Sequence, residues 1–189
     1  MRRGFKGGFV ALAMAAALGL LPAAAGGQTA TYRYFPFTAE GKVKGSLKVN
    51  RQQGRCFFGS FSNPRIDTYR CVGKKFLLDP CFKKPRSRRV LVCVGSPWRR
   101  TAVLLTVKRK LKSHGAGKPN PWALVVEGLR CTWASGATTG TQYGRLNYSC
   151  PGRLFLFGYP LGAPSAFIWG GTDPNGADAT QRAVNEIWR

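Results

Sequence analysis

Six cysteines, at positions 56, 71, 81, 93, 131 and 150, are the residues of this 189-residue chain best equipped for chemistry. Thiols close disulfides, hold zinc or attack as nucleophiles, and spacing separates these roles. The successive gaps of 15, 10, 12, 38 and 19 contain no C-x2-C or C-x4-C pair, and His114 is the sole histidine, so zinc is not expected. A cysteine nucleophile needs a spare thiol, and an even count suggests that none is spare. Disulfides are the expectation. Spacing leaves many pairings open. Nearest-neighbour pairing, Cys56–Cys71, Cys81–Cys93 and Cys131–Cys150, is favoured because each bond then closes a loop on the scale of a hairpin.

The other reactive groups are sparse. His114 lies in Lys112-Ser113-His114-Gly115-Ala116-Gly117 with no acidic residue near it in sequence, so it reads as an exposed loop histidine and not as a general base. Asp67 sits close to Arg65 and Arg70, which suggests an ion pair, and Asp79 precedes Pro80, which suggests a turn cap. A paired-carboxylate hydrolase would need these two in one cleft. The run Gly136-Ala137-Thr138-Thr139-Gly140-Thr141 has neither a strand–loop–helix context nor a Lys-Ser/Thr ending, so it reads as a flexible loop and not a phosphate cradle. No catalytic residue, cofactor or metal is expected, and the reading leans away from an enzyme.

Charge is the strongest remaining signal. The chain carries a formal +23, and residues 26–118 hold 22 Lys/Arg against Glu40, Asp67 and Asp79. Residues 119–189 hold five Arg against four carboxylates. Such a lopsided field attracts polyanions whatever the fold. The cations cluster in Lys83-Lys84-Pro85-Arg86-Ser87-Arg88-Arg89, in Arg99-Arg100 and in Lys108-Arg109-Lys110-Leu111-Lys112. If 89–94 and 101–108 form an antiparallel hairpin, Arg88 and Arg89 approach Lys108, Arg109, Lys110 and Lys112, and eleven cations gather in one region. That patch is the candidate anion-binding site.

These side chains must be positioned by short strands. Apolar runs at 43–49, 55–61, 68–72, 75–78, 89–94, 101–108, 122–127, 129–133, 143–150, 153–157 and 166–169 are broken by Gly, Pro, Asn and Ser. Their spacing predicts an all-β, disulfide-stabilised sandwich or barrel of short antiparallel strands. Residues 179–188 fit either a short helix face or a last edge strand, and the tryptophans at 98, 122, 133, 169 and 188 are expected in the core. Residues 26–39 read as a loosely ordered lead-in, part of which docks through Tyr32, Tyr34, Phe35 and Phe37, and 40–189 as a single domain. Residues 1–25 have a basic start, an apolar stretch over 9–21 and an Ala23-Ala24-Ala25 cleavage site, the pattern of a signal peptide. Left uncleaved, the same segment would act as an anchor; no later stretch predicts a transmembrane helix, because the apolar run 154–171 is interrupted by Gly158, Pro160, Gly162 and Pro164.

Residues 56–133 carry a pattern: Cys56-Phe57-Phe58-Gly59-Ser60, Pro64-Arg65-Ile66-Asp67-Thr68-Tyr69-Arg70-Cys71 and Asp79-Pro80-Cys81-Phe82, then Val92-Cys93, Pro97-Trp98, Pro121-Trp122-Ala123-Leu124 and Arg130-Cys131. It resembles a group of small exported actinobacterial proteins of unknown function. The resemblance covers under half the chain and implies secretion and disulfides, with no activity attached.

The sequence therefore points to a secreted or cell-envelope-associated, non-enzymatic protein that captures an anionic polymer or surface, such as a cell-wall polyphosphate, nucleic acid or anionic lipid. The alternative is a secreted inhibitor or toxin-like protein presenting a rigid disulfide-closed loop between Cys81 and Cys93.

Overall fold

The computed structural model describes residues 27–74, 76–117, 120–136 and 138–189. Residues 1–25, with their signal-peptide pattern, lie outside the described residues. The protein is all-β. Its strands are β1 (Ala30–Tyr32), β2 (Lys48–Gly59), β3 (Thr68–Val72), β4 (Leu77–Lys83), β5 (Val90–Cys93), β6 (Thr101–Val107), β7 (Ala123–Val126), β8 (Leu129–Trp133), β9 (Gly140–Thr141), β10 (Gly144–Ser149), β11 (Phe155–Leu161), β12 (Phe167–Gly171) and β13 (Thr180–Trp188). Among the described residues a single 3₁₀ turn, Pro151–Arg153, interrupts them. Among the described residues no helix is long and apolar enough to cross a membrane.

The strands wind into two meanders, and strand parity decides how each closes. β2 to β6 alternate direction over five strands, so the first and last run the same way and close the barrel as a parallel pair, with Lys48 opposite Thr101 and Gly54 opposite Val107. Gly54 is required at that seam, because a Cβ there would sit 2.3 Å from the Val72 carbonyl oxygen and 2.7 Å from Leu105 Cδ1. The second meander, β7-β8-β10-β11-β12-β13, has an even number of strands and closes antiparallel through β13 and β7. β1 extends this sheet parallel to β13.

Residues 179–188 thus resolve as strand, not helix, and β13 is no edge. It pairs with β12 over its first half and lies between β1 and β7 over its second. Val184 and Ile187 turn into the barrel core beside Leu124, Tyr148, Leu156 and Ile168. The stretch 43–49 is a strand only from Lys48 onward, with Val43 making one isolated bridge to Phe37.

All three nearest-neighbour disulfides form. Cys56 faces Cys71 across β2 and β3, and Cys81 faces Cys93 across β4 and β5, so both bonds link residues already in register. Cys131 and Cys150 continue the β8–β10 register. The barrels meet on an apolar cluster that joins Phe82, Val92, Val94 and Ala102 of the first to Trp122 and Ala123 of the second, with Phe37 from the N-terminal segment. Tyr34 packs edge-on against Trp122 at 5.4 Å, which docks that segment at the junction. Trp122 is the one tryptophan among the largest fully buried side chains; Trp98, Trp133, Trp169 and Trp188 are half-buried.

Candidate functional site

The hairpin of β5 and β6 forms in the register that brings Val90 opposite Thr106. The backbone then ties the basic runs together at one mouth of the first barrel. Val107 N–H donates to the Arg89 carbonyl at 2.9 Å, Leu111 N–H to the Arg88 carbonyl at 2.8 Å, and the Arg88 guanidinium to the Leu111 carbonyl at 3.1 Å. Leu111 is the anchor. It is 6 % exposed and seats in the cluster of Tyr69, Leu91, Leu105 and Val107, so the segment after β6 crosses the barrel mouth with its cations turned outward. The Tyr69 hydroxyl fastens the same segment by donating to the Lys112 carbonyl at 3.0 Å.

The β4–β5 connection supplies the other half. Lys84 N–H donates to the Val90 carbonyl and Ser87 N–H to the Lys84 carbonyl, closing a tight turn with Pro85 second and Arg86 third. Pro85 fixes its own φ near −65°, and Arg86 adopts φ +59°, the combination of a type II turn. Lys83, Lys84, Arg86, Arg88, Arg89, Lys108, Arg109, Lys110 and Lys112 share this mouth; Lys83 and Lys84 are half-buried and the rest exposed.

Arg99 and Arg100 do not join them. They occupy the loop at the other end of the hairpin, where the Arg100 carbonyl accepts from Lys48 N–H. The seven-residue strand β6 intervenes, a separation of roughly 20 Å at about 3.3 Å per residue. The expected single patch of eleven is therefore nine plus two. Among the described residues the two ion pairs are Arg65–Asp67 and Arg182–Glu127, so none of the eleven is neutralised by a carboxylate partner.

The remaining candidates have structural partners. Arg65 grips Asp67 with two hydrogen bonds, of 2.9 and 2.6 Å, and also donates to the Tyr34 carbonyl at 2.9 Å. Asp79 lies within β4, not at a turn, and its carboxylate accepts from the Ser60 and Ser62 hydroxyls and from Phe61 N–H. Burial pushes the Asp79 carboxyl above its ordinary value, opposed by those hydrogen bonds and by the Arg70 charge. The two aspartates hold different partners, Asp67 the Arg65 guanidinium and Asp79 the 60–62 segment. His114 is half-buried, not exposed: its ring meets Tyr69 edge-on at 4.7 Å and covers Gly59, where a Cβ would come within 2.8 Å. The interval between Cys81 and Cys93 is a hairpin whose tip is 84–89.

Sequence periodicity missed two features. A bulge between Cys56 and Phe58 breaks the in–out alternation of β2, leaving Phe57 and Phe58 both exposed. Arg55 lies over Phe57 and Arg70 over exposed Phe61, at 5.0 and 4.6 Å from the ring centroids. The other is a cavity of about 350 Å³ lined by Arg33, Lys44, Trp98, Arg99, Arg100 and Trp188, among others. Its parts come from both ends of the chain, so no local pattern signals it.

The architecture and site together define a disulfide-cross-linked double β-barrel with a strongly cationic first barrel. No family model, curated protein or solved structure matches the chain.

Proposed function

We propose that the protein is exported by its 1–25 leader and acts outside the cytoplasm as a non-enzymatic binder of anionic polymers or surfaces, holding phosphate or sulfate groups on the cationic mouth of the first barrel. The observation that carries this reading is the convergence of nine cations, free of ion-pair partners among the described residues, on a backbone fastened by hydrogen bonds and Leu111. Holding like charges together costs free energy in the absence of a ligand, and a polyanion relieves it while releasing its own counterions. The three disulfides agree with an oxidising compartment, as does the resemblance to small exported proteins. Partners of the right chemistry are a cell-wall polyphosphate, a nucleic acid or an anionic lipid surface, and the exposed Phe57, Phe58 and Phe61 beside Arg55 and Arg70 suit a partner with an apolar or stacking component.

The test is the salt dependence of binding to duplex DNA, a sulfated polysaccharide, a teichoic-acid-type polymer and anionic vesicles. Full engagement of the mouth on duplex DNA gives a slope of log K against log salt of about −8, from about −0.9 per phosphate neutralised. Reversing Lys84, Arg86, Arg89 and Lys110 to Glu should collapse both affinity and slope. An unchanged slope in that variant would refute the mouth as the binding site.

A further inference from the structure

We propose that the seam between the barrels is a second binding site, separate from the cationic mouth, for a ring-bearing phosphate monoester: a nucleoside or sugar ring carrying one phosphate group. The half-open cavity of about 350 Å³ lies near the lower end of the roughly 300–1,000 Å³ typical of small-molecule sites, which is room for one ring and one charged group. Its charge comes from Arg33, Lys44, Arg99 and Arg100, none of which has a carboxylate partner among the described residues. Three of these are arginines, whose planar fork matches phosphate oxygens two at a time.

The walls supply the ring preference. Trp98 and Trp188 meet edge-to-face at 6.1 Å, and Trp188 stacks on Tyr32 at 4.6 Å. The Trp188 indole N–H donates to Glu186 Oε2 at 3.0 Å, and the Arg130 guanidinium stands 5.5 Å from the Trp98 centroid. Both indoles are thus held in place by contacts within the protein itself, so binding requires little further ordering. Both are half-buried and line the cavity, so each keeps surface that a base or sugar can cover. The site exists only in the assembled double barrel: Arg33 is fastened between Arg189 N–H donating to the Tyr32 carbonyl and Tyr34 N–H donating to the Arg189 carbonyl, both at 2.8 Å.

The experiment follows the indole N–H resonances of the oxidised, 15N-labelled protein during titration with AMP, glucose 1-phosphate and inorganic phosphate. At least one ester should shift the Trp98 and Trp188 signals and leave that of Trp122 in place, binding more tightly than inorganic phosphate. AMP alone points to a base on the indoles, glucose 1-phosphate alone to a sugar, and both to the shared ring-plus-phosphate chemistry. The double variant Arg99→Gln/Arg100→Gln, both exposed, should weaken this binding by at least about tenfold. Lys44→Gln provides an independent check should the double variant prove less stable. The four-fold Glu variant of the mouth should bind the ester as the parent does, so loss of polymer binding and loss of ester binding are read separately. Inorganic phosphate binding as tightly as both esters, neither ester moving the two signals, or full affinity in the Gln variants would each overturn the proposal.

Discussion

Arg86 offers a position where stability and the proposed binding pull in opposite directions. It occupies the third place of the Lys84–Ser87 turn with φ +59°, a conformation that costs an L-residue roughly 1–2 kcal/mol and glycine nothing steric. Glycine loses more chain entropy on folding, by roughly 0.5–1 kcal/mol. Arg86→Gly should therefore raise stability by about 0.5–1 kcal/mol, or roughly 2–4 °C in Tm per kcal/mol for a chain of this size. The same change removes one of nine cations from the mouth. One phosphate contact contributes about 0.9 to the salt slope, which amounts to about an eightfold loss of affinity near 0.1 M salt and almost none near 1 M. Arg86→Lys is the control, since it keeps both the charge and the strained backbone and should leave both quantities close to the parent. Calorimetry and a salt-series binding isotherm on the three proteins decide the matter. A lower Tm for Arg86→Gly would refute the argument from turn geometry. Unaltered affinity and slope would refute a role for Arg86 in capture.

Asp79→Ala should cost about 2–4 kcal/mol in urea unfolding, because the Ser60 and Ser62 hydroxyls and Phe61 N–H lose their acceptor. The pH dependence at this residue has the less common sign. Its carboxyl is raised on folding, so the folded state is favoured below the ordinary value of 3.8 and loses that advantage as pH rises through the raised folded value, a slope that Asp79→Asn should abolish. Asp178 has the opposite sign: Asp173 N–H and the Thr172 hydroxyl and N–H hold it down to about 2, so its stabilisation is present above 3.8 and fades as pH falls toward 2. Carboxyl NMR titration of Asp178 checks this, and an unshifted midpoint would contradict it. Replacing Cys131 and Cys150 together by Ala should destabilise the second barrel by about 3 kcal/mol for a loop of 19 residues, leaving the first pair of disulfides intact. Trp122→Ala should cost about 3–5 kcal/mol and split a single calorimetric transition into two, because Trp122 lies fully buried in the cluster the barrels share.

Local pattern is what the sequence carries well here, and the strands show why. Runs such as 68–72, 101–108 and 129–133 were legible because turn-forming residues bracket them, and β3, β6 and β8 fall on them within a residue. The disulfides were legible for the same reason, since a bond between cross-strand neighbours such as Cys81 and Cys93 needs only a hairpin. What local pattern omits is closure. Nothing in the composition of β2 announces that it will pair with β6 in parallel across an interval of more than forty residues, or that β13 will meet β7 and make two rings. Residues 179–188 were ambiguous because burial alternates imperfectly along β13, which is flanked by three partner strands.

The split of the eleven cations follows from the same cause. The β5–β6 hairpin forms as its sequence predicts, but a hairpin has two ends. Arg88 and Arg89 enter β5 where Lys108 leaves β6, whereas Arg99 and Arg100 sit in the connecting loop at the opposite end. At the mouth, β-strand geometry keeps charge on an open surface suited to something extended. At the seam it sets the two arginines around a half-open cavity with indoles brought from loop 97–100 and from the end of β13. One sequence cluster thus becomes two electrostatic environments. The mouth should discriminate among ligands chiefly by charge density, and lose affinity for them steeply as salt rises. The seam should retain selectivity at salt concentrations that empty the mouth, because ring stacking is far less salt-sensitive than phosphate contact. Salt settles whether that division holds: at about 0.5 M salt, a ring phosphate should still shift the Trp98 and Trp188 resonances, with polymer present or absent, while polymer binding at the mouth has vanished.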